Sequence, residues 1–186
     1  VIPTMNALEF LSAYKNEDNY TVWLELALGL GQLEQLLSKE KYKDKLNEII
    51  LELFSPIFAQ LGWNKKDKEK HTATLLRSLV ISRLGRSGHR AVLTKARQIF
   101  IKGNIHPDIR DAIYATVASW GKMKEYETFI KKYKKEKLHE EKNRIGGALG
   151  DFSELKLLKM TCEFSFSKDV RKQDTISILT SVGGNP

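Results

Sequence analysis

The sequence predicts an all-α fold, an α-solenoid of antiparallel helix pairs, and three observations carry that expectation. The stretch from Ile105 to Lys135, IHPDIRDAIYATVASWGKMKEYETFIKKYKK, reads as two amphipathic helices joined by a very short turn. Gly88, Gly121, Gly150 and Gly183 fall 33, 29 and 33 residues apart, with helical periodicity filling the gaps. A period of that length marks stacked helix pairs. Only four of the 186 residues are proline, and no useful alternating apolar run suggests a strand.

In the central stretch, His106-Pro107-Asp108 is a helix start, because proline suits the first helical position and acids favour the positive end of the dipole. Ile109, Ala112, Ile113, Thr116, Val117 and Trp120 then share one helical face. Gly121 is expected to stop the helix by taking a left-handed cap. The second helix points Met123, Tyr126, Ile130 and Tyr133 inward and Lys124, Lys131, Lys132 and Lys134 outward.

From the beginning, Pro3-Thr4 opens a short helix carrying Met5, Leu8 and Leu11, which ends at the polar run Asn16 to Asn19. Tyr20 to about Ser38 is strongly apolar on several faces and is expected to lie buried between neighbours. Gly29 and Gly31 inside it imply close helix approach. They do not make a dinucleotide fingerprint, since residue 34 is Glu34 and no strand precedes. Tyr42 to Gly62 forms a helix expected to be interrupted or kinked at Ser55-Pro56. Asn64 to Lys70 is a charged surface loop. The pairs His71–Leu84 with Arg90–Ile101, and Leu138–Leu149 with Ser153–Phe166, follow on either side of the central hairpin. Arg171 to Val182 begins a last helix, expected to expose Ile176, Ile178, Leu179 and Val182 for self-association.

Composition narrows function. The net charge is +8, with −4 in residues 1–63 and +12 in residues 64–186; residues 64–110 alone hold 12 basic and 3 acidic residues. A basic helical chain can attract nucleic acid or acidic proteins. The aromatics Trp120, Tyr126 and Tyr133 fit apolar rather than lysine faces, however, and most of this charge reads as solvated surface. No apolar run reaches the length a membrane helix needs. The single Cys162 excludes an internal disulfide and reads as a buried thiol. The chain begins at Val1, shows no signal peptide, and ends on an unpaired helix, so residues 1–186 are read as part of one domain truncated at both ends.

IHPDIRDAIY, EEKNRIGGALG and VRKQDTISILTSVGGNP resemble the C-terminal helical domain of the aminopeptidase N-like zinc aminopeptidases, and YKNEDNYTVWLELALGLGQL with FSPIFAQLGW is most similar to their puromycin-sensitive branch. The resemblance implies a HEAT-like superhelical bowl that covers the catalytic domain of the same polypeptide and helps enclose and bind a peptide substrate. It also implies a zinc cofactor in that catalytic domain and a cytoplasmic setting.

The chain departs from the family's catalytic pattern. A zinc helix needs H-E-x-x-H, two histidines on one face with a glutamate as general base. His139-Glu140-Glu141-Lys142-Asn143 offers asparagine in the second position. His71, His89 and His106 stand apart as surface or capping residues. No catalytic and no metal residue is therefore assigned, and the fragment alone is expected to be inactive. Arg110 and Arg144 are the candidate peptide-binding residues, because each is a helical cation in a matching segment. The competing role for them is pairing with Asp111 or Glu141 to hold helices in register. The rival to the aminopeptidase reading is a freestanding basic HEAT-like scaffold that binds protein or nucleic acid.

Overall fold

The computed structural model describes residues 4–185. The expected start at Pro3 lies outside the described residues, as do Val1, Pro186 and the side chain of Met5. Among the described residues there are ten α-helices and no strand: α1 (Thr4–Phe10), α2 (Tyr20–Leu36), α3 (Lys43–Leu61), α4 (His71–Arg86), α5 (Arg90–Lys102), α6 (Arg110–Ser119), α7 (Met123–Lys135), α8 (His139–Leu149), α9 (Leu155–Ser165) and α10 (Lys172–Gly183). The all-α expectation holds. The chain forms two compact units, one running to Val92 with His106–Ala112 added, the other comprising Leu93–Ile105 and the chain from Ile113 onward.

In the first unit, α2, α3 and α4 bury a common core. Trp23 and Phe54 are fully buried with ring centroids 5.0 Å apart, and the indole N–H of Trp23 donates to the Glu17 carbonyl at 2.9 Å. Leu46, Ile50, Leu53, Phe54 and Ile57 form the buried stripe of α3 at three- and four-residue spacing. That helix is not interrupted at Pro56. The Ser55 hydroxyl donates to the Leu51 carbonyl at 2.5 Å beside the break in the backbone ladder.

The structure corrects the reading of α2. Only Trp23, Ala27 and Leu30 are buried, while Leu28 and Leu36 are exposed, so a single face packs. Nor do its glycines mark a tight approach: a Cβ at Gly29 would meet nothing within 4 Å, and one at Gly31 would make ordinary contact with Arg83.

A buried cation ties the α3–α4 connection together. Arg77, 2% exposed, donates through Nε to the Gly62 carbonyl (3.1 Å) and through Nη2 to the Leu61 carbonyl (3.2 Å) and Glu69 Oε1 (2.5 Å). The loop read as a simple charged surface thus supplies an acid to the interior. Gly62 closes α3 at φ 63°, a left-handed conformation suited to glycine.

The second unit is organised by aromatic rings. Phe100 stacks on Phe129 at 4.7 Å, and Tyr114 meets Phe129 edge-on at 5.6 Å. Phe152 meets Phe129 at 5.7 Å and Tyr126 at 5.3 Å. Phe129 was not among the expected inward residues of α7. Every residue from Ala112 to Ala118 is buried, so α6 packs all round rather than on one face. Trp120, expected inside, is 44% exposed, because α6 ends at Ser119 and the chain turns there.

The spaced glycines do mark helix ends. Gly88, Gly121 and Gly150 follow α4, α6 and α8, and Gly183 closes α10. Their physical reasons differ. Gly88 is left-handed at φ 89°, but Gly121 is not, contrary to expectation. A Cβ at Gly121 would lie 2.6 Å from the Phe152 ring and 2.8 Å from the Val117 carbonyl, so glycine is there for space.

The last helix is not left open on the face expected. Helix α10 packs on both α8 and α9, with Ile178 only 2% exposed and close to Gly146, while Ser181 lies against Gly150. Leu179 and Val182 are half-buried and Ile176 alone of the four is exposed. The Asn185 amide donates to the Gly150 and Phe152 carbonyls at 2.5 and 3.0 Å, fastening the end of the chain to the α8–α9 turn.

The two kinds of glycine make opposite predictions for alanine. Gly29→Ala fills open space in a helix and should raise stability by about 0.5–1 kcal/mol. Gly121→Ala forces Phe152 to shift and should lower it by about 1–3 kcal/mol. Urea and thermal unfolding of the two variants check the signs; equal shifts would contradict this packing.

Candidate functional site

The two candidate cations have different surroundings. Arg144, in α8, donates through Nη1 to Glu141 Oε2 at 2.8 Å and reaches Glu140 with Nη2 at 3.4 Å. Glu141 is 6% exposed and accepts a 2.7 Å hydrogen bond from the Tyr114 hydroxyl. A helical i, i+3 pair therefore extends into a buried tie to α6. The register-holding role is the one this geometry displays. Arg110 opens α6 and is half-buried beside Asp111 in sequence. Arg110 belongs to the first unit and Arg144 to the second, so neither unit contains both.

The histidines take capping or surface places. His89 Nδ1 accepts from the Val92 N–H and its ring lies edge-on to Phe58. His106 Nδ1 accepts from the Asp108 N–H at 3.3 Å, opening the turn before α6, and His71 is exposed at the start of α4. In the H-E-E-K-N string, His139 and Asn143 are exposed and Glu140 points into solvent. Among the described residues no group of three or more His, Cys, Asp or Glu side chains could hold a metal ion. Cys162 is half-buried rather than buried. Burial pushes the Tyr126 and Tyr133 hydroxyls above their ordinary pKa, so neither offers a base at neutral pH.

Two functional-looking cations escaped the sequence reading. Arg77 and Arg83 are both buried in α4, and Arg83 Nη1 meets Glu34 Oε2 at 2.9 Å. Burial lowers the Arg83 pKa, with Glu34 opposing that effect. A signal existed: Arg77 lies in line with Val80, Ile81 and Leu84 on the apolar stripe. Elsewhere, Lys134 pairs with Asp169 at 2.8 Å, Lys132 lies over the Phe100 ring, and Arg97 donates to the Trp120 carbonyl.

Described residues of the first unit line cavities as well. One, about 450 Å³, opens between α2, α3 and α4 around Asp18, Ile57, Gln60, Leu61, Lys70 and Leu76. A smaller one, about 260 Å³, lies beside Trp63, Arg77, His106 and Asp108.

The described residues are helix pairs whose buried charges tie helix ends and neighbouring helices together. The family model described as ERAP1-like C-terminal domain matches residues 1–186, and the chain belongs to that family. It is 29% identical over 192 residues to Aminopeptidase M1-A of Oryza sativa subsp. japonica, covering 96% of this chain and 22% of the relative. It is 30% identical to the puromycin-sensitive aminopeptidase of Caenorhabditis elegans, covering 90% and 18%. The alanine/arginine aminopeptidase of Saccharomyces cerevisiae is 27% identical, with 92% and 21% covered. The chain spans about a fifth of the length of these relatives, and no helix among its described residues is long and apolar enough to cross a membrane.

The Arg77–Glu69 tie has a pH signature. The Arg77 guanidinium hydrogen bond holds the Glu69 carboxyl below its ordinary range. A depressed folded-state pKa contributes stability above the unfolded value of about 4.3, lost as pH falls through the folded value. Glu69→Gln should therefore be less stable than the parent at pH 7, and the difference should shrink below about pH 4. Urea unfolding across that range measures it; a difference independent of pH would show that the carboxylate charge plays no part.

Proposed function

We propose that this chain acts as part of the C-terminal domain of a zinc-dependent aminopeptidase that removes N-terminal residues from peptides in the cytoplasm. In that role it helps wall the chamber against the catalytic domain of the same polypeptide and contributes to peptide binding. The observation that carries this reading is the family match along residues 1–186, together with relatives named as aminopeptidases that extend well beyond the matched fifth. Arg110 and Arg144 stand as the proposed peptide contacts. Arg144 would exchange its Glu140 contact for a substrate carboxylate while keeping the Glu141 tie that orients it.

The residues present do not fit the zinc ion such an enzyme uses. The one H-E string lacks its second histidine, and its outward face meets solvent rather than a cavity. Catalysis is therefore assigned to another part of the polypeptide, and no chemical step is placed in this chain.

The assignment has two measurable consequences. The purified chain should hold less than one zinc per molecule after dialysis and should not hydrolyse aminoacyl-arylamides, whereas the full-length polypeptide should bind zinc and hydrolyse them. One tight zinc per chain by elemental analysis, or turnover abolished by a point change within residues 4–185, would sink it.

The charge of +12 in residues 64–186 favours the scaffold alternative only if it forms a continuous stripe. Arg77, Arg83, Arg97, Arg144 and Lys134 are already engaged internally, so nucleic-acid binding should be weak. Submicromolar affinity for a short oligonucleotide near physiological salt, falling steeply with added salt, would favour the scaffold instead.

A further inference from the structure

The larger cavity of the first unit combines three features that point to a ligand. Its floor includes apolar core residues: Ile57 and Leu76 are 3% and 2% exposed and belong to the core of α3 and α4. Its rim carries one carboxylate, Asp18, before α2, and one ammonium, Lys70, before α4. Among the described residues, no ion pair or side-chain hydrogen bond engages either group, or the Gln60 amide and Thr72 hydroxyl on the same wall.

Asp18 and Lys70 are both exposed, so each charge is available to a ligand held over the apolar floor. A concave site with an apolar lining and a few convergent polar groups is the usual form of a small-molecule site. A volume of about 450 Å³ suits a compact molecule. One cation and one anion at the rim favour a ligand that carries both charges, and the apolar floor favours a ligand with a hydrocarbon side chain.

We infer that this cavity binds a free α-amino acid with an apolar side chain. Asp18 accepts from the ammonium, Lys70 donates to the carboxylate, and the side chain lies on Ile57, Leu61 and Leu76. The backbone N–H groups that begin α4 lie beside Lys70 and reinforce the carboxylate end. This site is separate from the proposed peptide contacts, since neither Arg110 nor Arg144 lines it.

The test is isothermal titration of the 186-residue chain with L-leucine, N-acetyl-L-leucine and L-leucinamide, alongside Asp18→Asn and Lys70→Gln. Both substitutions are at exposed positions, and thermal unfolding verifies that the fold survives. Leucine should bind saturably at one site per chain. Removing either ligand charge, or either protein charge, should weaken binding roughly three- to tenfold, as expected for a charge-assisted contact at an exposed rim. N-acetyl-L-leucine should lose nothing further in Asp18→Asn, and L-leucinamide nothing further in Lys70→Gln, because each pair removes the same contact. No saturable leucine binding, equal binding of all three compounds, or unchanged affinity in both variants would overturn the inference.

Discussion

The last carbonyls of an α-helix have no donor within the helix, and a protein made of short helices has many such ends to satisfy. This chain meets that constraint with side chains from a neighbouring segment. Arg77 serves the end of α3 through the Leu61 and Gly62 carbonyls. Arg97 serves Trp120 beyond α6, and Asn185 serves Gly150 and Phe152 after α8. Thr175 serves Ser165 at the end of α9 at 2.8 Å, and Thr161 reaches Leu149. Except for the exposed Trp120 carbonyl, these bonds satisfy partly or fully buried groups that would be costly to leave unpaired, and together they fix where one helix ends against the next.

That constraint also explains why so much charge is buried. A buried ion pair is weak evidence of stability, because desolvation offsets the attraction, but removing one partner is expensive. Arg77 has two carbonyls as well as Glu69, and Glu141 has Tyr114 as well as Arg144. In both places a charge is retained where it completes a set of hydrogen bonds between elements. The basic excess of residues 64–186 is consequently less available to partners than its number suggests. Lys134 answers Asp169, and Lys132 covers an aromatic face.

Sequence periodicity located nearly every helix, because local apolar spacing is a property of the helix itself. Its failures came where the answer depended on a second element. The apolar residues of α2 could not say which neighbours existed, and only one face found any. The inward face of α6 was drawn too narrowly, since rings of α5 and α7 close around Tyr114. Gly121 stood in the right place for a different reason, which only the position of Phe152 reveals. At the candidate site, the partner of Arg144 was legible from its i−3 spacing, but the Tyr114 hydroxyl behind Glu141, 27 residues away, was not.

The H-E-E-K-N string shows why a motif is decided by the faces it occupies. Chelation requires the first and fifth residues of such a string to look into one cavity with the second beside them. In α8 that face, His139, Glu140 and Asn143, is turned to solvent. The glutamate that does enter the protein is the third residue, Glu141, set about 200° around the helix from His139 by the 3.6-residue turn. Its carboxylate accepts from a tyrosine hydroxyl and a guanidinium, which tie it to α6 and to its own helix. Restoring a histidine at position 143 would therefore complete a string without completing a site. In this chain the inward side of α8 serves to hold helices in register.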